Sequence, residues 1–182
     1  MARSRTGSRA EGPRPAAAPV PSLASVTVPR VWQGIGYRPL PDAAMARPLF
    51  DFAAVPWPAT ADIAFSWGAA TAGAGGERLV GAVVAERSGP VMMLHGPVVV
   101  IETEPLEIAS QLVAAVLDHA TAAGVVTLFT RPQSLDRVWV RFGFIPVPES
   151  TLPPVLAGRP GAGLYAWRGG SALWTLRETV RE

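Results

Sequence analysis

Residues 98–144 limit the fold of this 182-residue chain more than any other stretch. They read VVVIETEPLEIASQLVAAVLDHATAAGVVTLFTRPQSLDRVWVRFGF. An apolar run opens into a short loop. Ile108, Leu112, Ala115, Val116 and His119 then recur at helical spacing. Pro105 suits a first helical turn, Glu107 suits the positive end of the helix dipole, and Gly124 ends the pattern. A helix is therefore expected over residues 105–123. Residues 125–130 form a continuously apolar run, as in a strand buried on both faces after a crossover helix. Arg131 and Pro132 break that run. A shorter helix is expected over 134–142, ending at Gly143.

Upstream, the pattern changes from helical to alternating. Residues 35–40 have strand-forming content, and Asp42 is placed to cap a short Ala-rich piece over 43–52. Pro56, Trp57 and Pro58 interrupt the chain. Ile63, Phe65 and Trp67 share one face of a strand over 61–69. A Gly-rich hairpin loop over 71–76 leads into a returning strand over 78–87. A third strand runs over 91–94 and 98–101. Gly96-Pro97 interrupts it and calls for a bulge or kink, because Pro has no N–H for the ladder and Gly relaxes the backbone. Further strands are expected over 26–28, 144–147 and 164–167.

Composition narrows the function classes. There is no Cys, which excludes disulfides, thiolate nucleophiles and Cys-ligated zinc. The two His, His95 and His119, are too far apart in sequence to form a metal-binding pair motif. The net charge is only +2, and every basic residue is Arg. Such a balance argues against a nucleic-acid partner. No apolar run is long enough for a membrane span, and no signal-peptide core precedes the domain. The expectations are a disordered tail over residues 1–24, one domain over 25–182 and a cytoplasmic location.

The order of elements and three short motifs resemble the GNAT superfamily of N-acetyltransferases. The stretch from Tyr37 to Asp42 resembles the family's R-x-a-x-x-D opening. Gly143-Phe144 resembles its Y-x-x-x-G-F helix ending, and Leu152-Pro153 a common Leu-Pro. Residues 104–109 stand where the Q/R-x-x-G-x-G/A phosphate loop falls. The resemblance implies an α+β fold with a mixed, mostly antiparallel sheet flanked by helices. It also implies acyl transfer from acetyl-CoA or another acyl-CoA to the amine of a small molecule or protein.

In that frame Val98, Val99 and Val100 hold the pantetheine arm, and Leu106, Glu107, Ile108 and Ala109 face the pyrophosphate. His95 is the candidate general base, with a hydrogen-bonded structural histidine as the alternative. Trp32 and Trp57 stand where members shape the acceptor site, and His119 reads as a packing residue. The departures are specific. Only Ala109 fits the loop pattern. Pro105 removes an N–H, while Glu104 and Glu107 set negative charge beside a phosphate site. Trp139 replaces the tyrosine that serves many members as general acid, with Tyr165 as a stand-in. Arg131, Arg137 and Arg141 are candidates to grip phosphates from the opposite side. The alternative function is a catalytically inactive GNAT-fold binding or regulatory domain. An uncovered last strand makes a homodimer by sheet pairing the expected assembly.

Overall fold

The computed structural model describes residues 30–58, 63–133, 135–157 and 173–177. The strands expected over 26–28 and 164–167, the N-terminal tail and Tyr165 lie outside these residues. The elements in chain order are β1 (Arg30–Trp32), β2 (Ile35–Pro39), α1 (Arg47–Phe52), β3 (Ile63–Gly73), β4 (Gly76–Ser88), β5 (Val91–Val99), α2 (Pro105–Ala122), β6 (Thr127–Thr130), α3 (Asp136–Arg141), β7 (Ile145–Val147) and β8 (Leu173–Arg177). They build one eight-stranded sheet in the order β1-β2-β3-β4-β5-β6-β8-β7. Every neighbouring pair is antiparallel except β5 and β6, which run parallel on either side of the α2 crossover. Sequence reading placed most of these elements but not β1 or β8.

Side-chain alternation divides the core between the two faces of the sheet. On one face, Phe65, Trp67, Val83, Ala85, Met92 and Leu94 pack against Ile108, Leu112 and Val116 of α2. On the other face, Ala82, Val84 and Val98 pack beneath Phe50 of α1. Further along that second face, Met93 and Phe129 lie under Leu152 and Leu156. The β6 run is covered on both sides, with Leu128 facing α2 and Phe129 facing away from it, as its unbroken apolar sequence requires.

Local chemistry sets the element ends. The Asp42 side chain accepts a hydrogen bond from the Ala44 N–H at 2.8 Å and starts a 3-10 turn that feeds α1. Both long-range helices stop in the same way. The N–H groups of Gly124 and Val125 bond back to the carbonyls of Thr121 and Ala120. The N–H groups of Gly143 and Phe144 bond back to those of Val140 and Trp139. Each is a Schellman closure with a glycine at positive φ, and the second adds an edge contact of the Phe144 ring on Trp139 at 4.9 Å. The Gly-Phe pair read from the sequence is thus a helix stop with its apolar clasp. Among the described residues, no helix is long and apolar enough to cross a membrane.

Candidate active site

The strands β5 and β6 stay paired only from Val91↔Thr127 to Leu94↔Thr130. Beyond that point β5 keeps its other neighbour, with Ala82 opposite Val98 and Gly81 opposite Val99. The Val100 N–H continues that ladder by donating to the Val80 carbonyl at 2.9 Å. The sheet therefore parts between β5 and β6, and His95 and Arg131 are the first residues on the two sides. Successive strand residues aim their backbone groups to alternate sides. Val98 and Val100 use theirs on β4, so Val99 and Ile101 present theirs to the gap. Of the three valines read from sequence, Val99 is the one whose backbone faces the gap.

The expected bulge sits at the mouth of the gap. Val84 pairs with His95 and Ala82 pairs with Val98, so Gly96 and Pro97 together oppose the single residue Val83. Gly96 has φ +90°, and a Cβ there would lie 3.0 Å from the Val98 nitrogen, 3.1 Å from the Ala82 oxygen and 3.3 Å from the Phe50 ring. Only glycine fits both the dihedral and the space.

His95 is 6% exposed and Glu86 is 2% exposed. His95 Nε2 lies 3.3 Å from Glu86 Oε1, and both atoms are sealed from solvent. Glu86 was not singled out from sequence. It continues the inward face of β4 after Ala82 and Val84, where an apolar side chain is the usual occupant.

The start of α2 is tightly organised. Glu104 caps it in the left-handed conformation, φ +49°. The N–H groups of Glu107 and Ile108 both donate to the Glu104 carbonyl, at 3.0 and 3.1 Å. Pro105 has no N–H, so in the first turn of α2 the Leu106 amide is left to meet an anion. The Glu107 carboxylate accepts from Gln111 at 2.9 Å and from Arg141 of α3 at 3.2 Å. The Gln111 amide, with the Arg141 charge behind it, holds the Glu107 carboxyl below its ordinary range. Leu106 is exposed, whereas Ile108 and Ala109 are buried in the core. The buried Tyr37 hydroxyl is pushed up to about 12 by burial, with the Glu107 charge adding to it.

The three arginines considered together in the sequence do not act together. Arg141 is spent on Glu107, Arg137 is exposed, and Arg131 is buried on the opposite face, bonded to Glu149 at 2.7 Å. Trp139 is fully buried in the core on the α2 face. Its position supplies no acid to the gap. His119 is buried, and its Nδ1 accepts a 2.9 Å hydrogen bond from the Trp67 indole N–H; burial lowers its pKa. The two tryptophans read as acceptor residues line separate cavities. Trp57 lines one of about 390 Å³ with Asp42 and Arg47. Trp32 lines one of about 190 Å³ with Gln33 and Glu104. Trp57 connects to the bulge through Phe50, whose ring it meets edge-on at 5.1 Å.

Among the described residues the mixed sheet parts between its only parallel neighbours, beside a bulge and ahead of a crossover helix, and this is the GNAT N-acetyltransferase fold. The ribosomal-protein-S18-alanine N-acetyltransferase of Escherichia coli matches at a TM-score of 0.55, over 81% of this chain and 96% of its own, with 11% identity. The N-acetylglutamate synthase of Neisseria gonorrhoeae, in complex with coenzyme A and N-acetyl-glutamate, matches at 0.55 over 79% of this chain, with 16% identity. This chain covers 35% of that synthase. No family model matches the sequence, and no curated protein matches it.

Proposed function

We propose that this protein is an N-acyltransferase that moves an acyl group from an acyl-CoA to an amine in the gap between β5 and β6. The observation that carries this reading is the His95–Glu86 pair at the mouth of the gap, beside a bulge that only glycine can form. The free backbone edge at Val99 and Ile101 suits the amide-bearing pantetheine arm. The start of α2 offers fewer donors than a glycine-rich loop, but Glu107 is already balanced by Gln111 and Arg141. An acyl-CoA bound there supplies an acyl carbon that bonds the amine nitrogen as the carbon–sulfur bond breaks and its electron pair stays on sulfur.

The residues of the chain do the rest. Glu86 Oε1 lies 3.3 Å from His95 Nε2, so its charge favours a proton on that nitrogen and Nδ1 is the one placed to accept from the amine. His95 takes the proton that the amine loses on becoming an amide. The two residues are nearly closed to solvent, so the proton stays local. Trp139 cannot serve as an acid, so the thiol leaves as thiolate and takes its proton from solvent.

Isothermal titration with acetyl-CoA and CoA tests the first half. Saturable binding with a dissociation constant on the order of micromolar is expected. His95→Gln keeps a donor for Glu86 and removes the base. It is expected to lower kcat about 10²–10⁴-fold with acetyl-CoA affinity retained. Absence of binding to either ligand would leave a non-catalytic GNAT-fold binding or regulatory domain.

A further inference from the structure

We infer that the acceptor is a free amino acid and that Arg131 binds its carboxylate. The inference rests on the acyltransferase reading above and narrows its amine to one class. Arg131 is 5% exposed. One guanidinium nitrogen, Nη2, donates to Glu149 Oε2 at 2.7 Å. The other two, Nε and Nη1, are sealed from solvent and have no hydrogen-bond partner among the described residues. A buried donor left unmade is costly, and an unpaired one on a cation more so. Glu149 shows that this guanidinium already takes a carboxylate on its outer side.

Position adds the second argument. Leu94 and Thr130 are the last partnered residues of β5 and β6. His95 follows on one side and Arg131 on the other. Both side chains lie on the same face. Glu86, the partner of His95, pairs with Met93 across the β4–β5 ladder. Glu149, the partner of Arg131, precedes Leu152 and Leu156, which cover Met93 and Phe129. At the last pair, Leu94 and Thr130, the strands stand about 4.8 Å apart, and the two lips open from there. A base on one lip and a guanidinium on the other therefore address two groups of one small molecule, an amine and a carboxylate. Guanidinium and carboxylate match in charge and shape. Both lips are almost wholly buried, which favours a small acceptor over a folded protein surface.

The test compares the standard amino acids with their C-terminal amides and their decarboxylated amines on the full-length protein. Thiol release from acetyl-CoA gives kcat/KM, and titration calorimetry in the presence of CoA gives affinity. The acids are expected to exceed their amides and amines by roughly tenfold or more in both. In Arg131→Lys and Arg131→Gln that acid-to-amide ratio falls toward one. The wild-type comparison stands even if either variant fails to fold. Equal handling of acids and amides by the wild type overturns the inference while leaving an acyltransferase in place, with a buried water completing Arg131. If no amine turns over, the acyltransferase reading fails. Calorimetry with the same acid and amide pairs then decides this inference alone: acid-selective heat supports it, and its absence overturns it.

Discussion

Replacing Gly96 with alanine tests whether the bulge is dictated by sterics or merely tolerated. An L residue at a left-handed φ costs about 1–2 kcal/mol. The added Cβ would also press on two backbone atoms, Val98 N at 3.0 Å and Ala82 O at 3.1 Å, with the Phe50 ring at 3.3 Å. Backbone cannot swing aside as a side-chain tip does, and overpacking of this kind costs about 1–3 kcal/mol more. Gly96→Ala should therefore lose about 2–5 kcal/mol of stability, near 5–15 °C in Tm for a chain of this size. Two controls separate the terms. Gly89 has φ +59° with nothing within 4 Å, so Gly89→Ala carries the dihedral cost alone. Gly36 has no positive φ, and its nearest contact is 3.9 Å away, so Gly36→Ala should be neutral or slightly stabilising. Urea unfolding followed by circular dichroism gives all three. If Gly96→Ala costs no more than Gly89→Ala, the bulge yields freely and the steric argument fails.

Two further substitutions report on buried polar groups. The lowered pKa of His119 means that the unfolded chain binds its proton more readily than the folded one. Stability is then full above the unfolded value near 6.5 and falls as pH drops below it, by at most about 1.4 kcal/mol per pH unit. His119→Gln keeps an acceptor for Trp67 and should flatten that slope in urea titrations between pH 7 and 5; an unchanged slope would assign it elsewhere. Tyr37 has a buried hydroxyl without a hydrogen-bond partner among the described residues and a pKa raised to about 12. Its contribution is present below the unfolded value near 10 and is lost as pH rises from there toward 12. Tyr37→Phe should be neutral or stabilising by up to about 1 kcal/mol at pH 7, and should remove that alkaline loss. A destabilisation above about 1 kcal/mol would show that the hydroxyl has a partner.

The parts of the fold that were legible in the sequence are those set by near neighbours. Helix α2 announced itself through period, Pro105 and Gly124, and its observed bounds differ from the expected ones by one residue. Gly96-Pro97 announced a bulge because each residue violates the strand ladder for its own reason. The candidate site was less legible because its partners meet through the sheet register. Glu86 reaches His95 only through the β4–β5 pairing, and nothing local marks a Glu at the end of AVVAER as buried. Arg131 precedes a proline and reads as a solvated strand end. Its burial depends on the later segment 148–157 folding back over β6. The pairing of Arg141 with Glu107 spans two helices, and it turned an expected phosphate contact into a charge balance. Strand β8 passed unread because the Pro/Gly-rich stretch ahead of it hides where the sheet resumes.

The two ends of the proposed acyl-CoA site depend on the sequence to different degrees. The pantetheine edge is made of backbone groups at Val99 and Ile101, exposed because β6 leaves β5 after four pairs. Any side chains that keep the register and the bulge preserve that edge, which explains how it stands in a chain with so little sequence likeness to its structural neighbours. The phosphate end depends on which residues start α2. Here Pro105 removes a donor, the Glu104 carbonyl occupies the Glu107 N–H, and the Glu107 charge is held by Gln111 and Arg141. Binding through such a site must draw mainly on the pantetheine edge and the buried mouth at His95 rather than on charge attraction to phosphates. Its affinity should consequently weaken little with added salt, since screening acts on exposed charge pairs and not on a strand-like backbone ladder.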